Sequence, residues 1–212
     1  MTLENLLVTD LVAHFDPENC KNFRGIKAPT ERTRKVSFDL KDKETPFIVG
    51  ENEGSVTYKN FLSKEVYVTN YEEFVNSLPK NVQVGKKRCD FLVYQEDGSL
   101  FFILNELSQS RNIDAKESDA LYQLQATLEC LSDVAFIKSK MDSCKYRLCI
   151  FSNRVKTIDS PLGMANAFNE TYMTIKQREA VPFEFEGINK LGFKYFRANL
   201  IELSDAVSLK MQ

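Results

Sequence analysis

The sequence predicts an α/β domain built on a mixed central sheet flanked by helices, and three observations predict it. KKRCDFLVY and SLFFILNEL carry Val, Ile, Leu and Phe on both parities, the pattern of strands covered on both faces. Residues 114–140 place Ala120, Leu121, Leu124, Leu128, Leu131, Ala135 and Phe136 at helical spacing, long enough to cover that sheet. YRLCIF then returns as a strand, and a crossover helix between two strands makes a parallel, right-handed connection the default.

With 212 residues and 43% hydrophobic content, the chain fits a single domain, 1–212, whose core needs no metal or disulfide staple. Within it, 1–69 reads as an N-terminal helix and strands, 70–151 as the core, and 152–212 as a C-terminal helix and sheet extension. A formal charge of -2 excludes a strong global field for nucleic acid, so any such contact must come from local basic patches. The five cysteines form no CxxC pair and mostly sit in apolar segments, where they read as small core residues suited to a reducing cytoplasm. No basic n-region opens the chain, and no apolar run approaches the roughly 20 residues of a membrane span. The expectation is a soluble cytoplasmic protein without membrane contact.

Taken in order, Leu3, Leu6, Leu7 and Leu11 predict an amphipathic helix that stops near Asp16-Pro17, its leucines in the core. KNFRGIKAPTERTRK (residues 21–35) is locally basic and reads either as a phosphate-contacting arm or as a solvated loop. KVSFDL, PFIVG and SVTYKNF predict a strand and a hairpin, and Asn70 with Glu73 forms a capping-box pattern for a short helix that Pro79 ends. A loop around Asp159, Ser160 and Pro161, a helix over 162–178, and two β-like runs, PFEFEG and GFKYFRANLIEL, complete the chain. The aromatic residues there, Phe183, Phe185, Phe193, Tyr195 and Phe196, suit a packed sheet extension better than a base-stacking platform.

Function turns on Asp90 and Glu106, acids at strand positions where a purely structural sheet rarely places them. Whether they act together depends on the hairpin turn, because side chains alternate faces along a strand. A three-residue loop, Glu96-Asp97-Gly98, pairs Gln95 with Ser99 and Asp90 with Leu104, leaving Glu106 on the same face. A two-residue Asp97-Gly98 turn pairs Asp90 with Asn105 and divides the acids between faces. Turn statistics favour the first. Two carboxylates at strand ends suit a hard cation, Mg²⁺ or Mn²⁺, and the alternative is a polar strand end hydrogen-bonded to helix termini or solvent. His14 is the one histidine, which removes most triad and zinc-histidine chemistry, and no phosphate-binding glycine loop is present.

Over residues 70–151 this arrangement resembles the PD-(D/E)XK nuclease superfamily, whose restriction-endonuclease-like core runs helix, three strands, helix, strand. NYEEFVNSL is similar to its first helix, Cys89-Asp90 to its first acidic half-motif, Glu106-Leu107-Ser108 to its second, and DALYQLQATLECL to the helix behind them. The resemblance implies that Asp90 and Glu106 bind the metal with the Leu107 carbonyl, and that Glu72 or Glu73 supplies a further acid. Ser108 stands at the family's lysine position, and a serine cannot replace that charge. Lys116 on the following helix implies a relocated lysine, with Arg111 a weaker substitute. Gln123 and Gln125 lie on the helix that offers an amide in several such nucleases. Lys86, Lys87 and Arg88 are candidates for holding a phosphate backbone, or else an ordinary charged strand entrance. The implied function is metal-dependent hydrolysis of a DNA phosphodiester. The alternative is a catalytically inactive module of the same fold that binds nucleic acid or a protein partner.

Overall fold

The computed structural model describes residues 1–18, 25–62, 64–78, 87–97, 100–155 and 180–210. The strands are β1 (Thr30–Thr33), β2 (Ser37–Leu40), β3 (Ile48–Val49), β4 (Val56–Asn60), β5 (Val66–Asn70), β6 (Phe91–Tyr94), β7 (Phe101–Ser108), β8 (Tyr146–Asn153), β9 (Lys194–Arg197), β10 (Leu200–Leu203) and β11 (Val207–Lys210). The helices are α1, composed of Leu3–Leu6, a wider π-type turn at Leu7–Leu11 and Val12–Phe15, then α2 (Tyr71–Ser77), α3 (Ile113–Ser132), α4 (Ala135–Asp142) and the single turn α5 (Glu186–Asn189).

These elements make three layers. A six-stranded mixed sheet, β1-β5-β6-β7-β8-β9, lies between the helices on one face and a five-stranded sheet, β11-β10-β4-β2-β3, on the other. The apolar residues on both parities follow from this double burial. Leu92, Tyr94, Phe102, Leu104, Cys149 and Phe151 pack against the helices. Phe91, Val93, Phe101, Ile103, Leu148 and Ile150 pack against Phe38, Tyr58 and Ile201 of the second sheet. The α/β class and the parallel β7–β8 pairing stand as expected.

The register of the β6–β7 hairpin corrects the sequence reading. Phe91 pairs with Asn105, Leu92 with Leu104 and Tyr94 with Phe102, so one further step sets Asp90 opposite Glu106 rather than Leu104. The connection is longer than the three-residue loop, and Gly98 and Ser99 lie outside the described residues. The shift is by two residues, which preserves the pleat, so both acids still share the helix-facing side.

Other departures have local causes. Thr30–Thr33, inside the basic segment, is an edge strand paired with β5 rather than a loop, and β5 itself carries no marked alternation to announce it. The long helix divides at Asp133-Val134, which changes the helical phase and leaves Phe136 67% exposed instead of in the core. PFEFEG forms one bridge at Phe183 and the α5 turn rather than a strand. GFKYFRANLIEL supplies two strands, one to each sheet, because the chain turns between Arg197 and Leu200. Between α2 and α3 the described residues hold two strands, not three; β5, which precedes α2, is the third antiparallel neighbour. The four described cysteines are buried free thiols. Cys20, Lys21, Arg24, Pro79, Lys86, the loop at 159–161 and the helix expected over 162–178 fall outside the described residues.

Candidate functional site

At the end of the first sheet a cleft of about 740 Å³ opens where β6 begins and β7 ends. Its floor is set by backbone hydrogen bonds. The Asp90 carbonyl accepts from the Tyr71 N–H (2.8 Å), which pins the first turn of α2 to the start of β6. That turn carries half of the expected capping box: Asn70 Oδ1 accepts from the Glu73 N–H at 2.9 Å, but Glu73 Oε2 accepts from Asn70 Nδ2 at 3.2 Å, while the Asn70 N–H donates to the Pro29 carbonyl. Glu73 is thereby spent on the cap, and Glu72 is the helix acid that lines the cleft. From behind, Gln123 Nε2 donates to the Arg88 carbonyl (3.0 Å) and Thr127 Oγ1 accepts from the Cys89 N–H (2.9 Å). Residues four apart on one face of α3 therefore clamp the segment that carries Asp90.

Asp90 and Glu106 are 5% and 7% exposed, and both line the cleft. Asp90 Oδ2 accepts from the Leu107 N–H at 2.7 Å, tying one acid to the strand that carries the other. Glu106 Oε2 is buried without a hydrogen-bond partner. A further acid arrives from the second sheet: Asp42, in the loop after β2, offers a carboxylate oxygen within 4.8 Å of those of Glu72 and Asp90. Burial pushes the Asp90 carboxyl well above the usual carboxylate range, and the nearby Asp42 adds to the shift. Glu106 is raised in the same way, by burial first and then by Asp90 and Glu72. An all-oxygen, all-carboxylate donor set with an orphaned buried oxygen fits a hard divalent cation and does not fit a soft one.

Of the other residues singled out in the sequence, Leu107, Ser108, Lys87, Arg88, Lys116 and Gln123 also line the cleft. Ser108 Oγ accepts from the Ser110 N–H at 3.1 Å. Lys87 is paired with Asp119 at 2.8 Å. Arg111 is exposed and stands outside the lining, and Gln125 turns away to Glu129 beside α5. Sequence reasoning missed Asp42 and its neighbour Lys43, which read as part of the charged run KDKE between two strands. Lys43 does not fill the floor of the cleft; its side chain is 82% exposed.

The raised acids set a pH dependence in cation-free protein. A carboxyl whose folded value lies above its unfolded one, about 4, stabilises the fold below that value, and the contribution is lost as pH rises through the folded value. Melting temperature in EDTA is therefore expected to fall from about pH 5 upward. Thermal melts across that range check this; a melting temperature that rises with pH contradicts it.

The fold and site define a mixed α/β protein, with two sheets converging on an acidic cleft rimmed by basic side chains. No protein-family model, curated protein or solved structure matches the chain. No helix among the described residues is long and apolar enough to cross a membrane.

Proposed function

We propose that the cleft binds Mg²⁺ or Mn²⁺ through Asp90 and Glu106, assisted by Glu72 and Asp42, and that the protein is a PD-(D/E)XK-like nuclease hydrolysing a DNA phosphodiester. The observation that carries this reading is Glu106 Oε2, a buried carboxylate oxygen with no protein partner in a cleft where Asp42, Glu72 and Asp90 already converge. A bound divalent cation lowers the pKa of a water and stabilises charge on a phosphate. The chain's own contribution is to hold the acids in register: α2 hangs Glu72 from the Asp90 carbonyl, and the Leu107 N–H fixes the Asp90 carboxylate. Lys87, Arg88 and Lys116 add positive charge to the cleft wall, where a phosphate backbone would pass. The order α2, antiparallel β6-β7, α3 and a parallel β8 supports the restriction-endonuclease-like reading of the core, although its third antiparallel strand, β5, precedes α2 instead of following it.

One observation favours the second reading, a catalytically silent module of the same fold that binds nucleic acid or a protein partner. Ser108 stands where the resemblance calls for a lysine, and its hydroxyl is engaged by Ser110. Mn²⁺ electron paramagnetic resonance, with cleavage assays on plasmid and single-stranded DNA in Mn²⁺, separates the two. Bound Mn²⁺ with scission that Glu106→Ala removes supports the nuclease. Bound DNA without scission supports the silent module, and absence of Mn²⁺ binding ends the nuclease reading.

A further inference from the structure

The loop between β2 and β3 brings a cation as well as an acid to the cleft. Lys43 directly follows Asp42, and its φ of 61° is a left-handed backbone conformation uncommon for a residue with a side chain. Its Nζ lies 3.5 Å from Asp42 Oδ2, with 82% of the side chain exposed, so the charge stands at the mouth of the cleft above the acids. Lys43 lines the cleft together with Asp42, Glu72 and Asp90, the three carboxylates that converge there.

Charge balance gives this placement a purpose. Three converging carboxylates, with Glu106 in the same cleft, leave a centre holding one divalent cation negative, and a phosphodiester is itself an anion, so it is repelled unless another positive charge meets it there. Of the cleft's basic side chains, Lys87 is paired with Asp119 on α3, whereas Lys43 is paired with Asp42, one of the metal-binding acids. The unpartnered, buried Glu106 Oε2 in the same cleft marks the acid cluster as a ligand site rather than a chance gathering of charges.

We propose that Lys43 docks the substrate phosphate beside the cation, so that the second sheet supplies the anion-binding group of a site whose acids lie mostly at the end of the first. This inference rests on the metal-site reading above.

The test measures binding of a short fluorescein-labelled oligodeoxynucleotide by anisotropy, in Ca²⁺ and in EDTA. Wild type, Lys43→Gln, Lys43→Arg and Lys116→Gln are compared, and Mn²⁺ binding is followed in parallel by electron paramagnetic resonance. Ca²⁺-dependent binding by wild type is expected to weaken about tenfold in Lys43→Gln, the value of one charge-assisted phosphate contact. Lys43→Arg keeps most of the affinity, and Mn²⁺ affinity does not fall in Lys43→Gln, a split that a merely structural role would not produce. Wild-type affinity in Lys43→Gln, or a larger loss in Lys116→Gln, overturns the inference. Mn²⁺ binding by wild type without Ca²⁺-dependent DNA binding overturns it while leaving the metal site standing. Failure to bind Mn²⁺ at all overturns both.

Discussion

Glu106→Gln is expected to abolish Mn²⁺-dependent DNA cleavage, by about a thousandfold or more, while raising the melting temperature of the cation-free protein at neutral pH. The two effects have one origin. Glu106 is 7% exposed, its Oε2 has no partner, and burial with Asp90 and Glu72 nearby disfavours its ionised form. The amide has the same shape and no charge to desolvate, so the fold gains where the cation site loses. A thousandfold loss corresponds to about 4 kcal/mol of transition-state stabilisation, within the several kcal/mol that a held metal ion supplies. Kinetics in Mn²⁺ and melts in EDTA, made on the same preparation, check the pair. A variant that loses activity and also melts lower would instead reveal a structural role for the carboxylate.

The second large effect lies on the far side of the first sheet. Arg154, just past β8, donates to Asp39 Oδ2 (3.0 Å) on β2, to the Gly54 carbonyl (3.3 Å), to Thr57 Oγ1 (2.9 Å) on β4 and to the Asn199 carbonyl (3.4 Å) before β10. Asp39 is fully buried; its Oδ2 also accepts from the Gly54 N–H, and its Oδ1 has no hydrogen-bond partner. Gly54 is required there, since a Cβ would meet the Leu40 carbonyl oxygen at 2.3 Å. Arg154→Ala strands the Asp39 charge between sheets and is expected to cost about 3–5 kcal/mol. For a chain of this size that lowers the melting temperature by roughly 6–20 °C. The double variant Asp39→Ala/Arg154→Ala should lose less than the sum of the two single variants, because the orphaned charge goes too. Urea titrations of the four proteins measure the coupling, and additive losses would deny it.

Much of the first sheet was legible because its chemistry is local. Phe91–Tyr94, Phe101–Leu104 and Leu148–Phe151 are apolar on both parities, and Asn70 with Glu73 writes the start of α2 in four residues. The pairing of Asp90 was not legible, since it depends on the length of the connection beyond Tyr94 rather than on either strand. Their shared face survived the error because the slip was an even number of residues. The second sheet was only half readable: β10 lies parallel to β4 although the two are far apart in the chain, and no periodicity encodes that meeting. Asp42 was hidden for the same reason. Nothing in KDKET separates a solvated charge from one carried by tertiary contact to Glu72 and Asp90.

Because one acid of the cleft is delivered by the five-stranded layer, the segment from 64 to 155 does not carry the whole cleft by itself. Cut free, it would lack Asp42 and would present Phe91, Val93, Phe101, Ile103, Leu148 and Ile150 to water as a continuous oily face. Such a fragment would aggregate before its chemistry could be assayed, and dissection of this protein must therefore proceed by point substitution rather than by truncation.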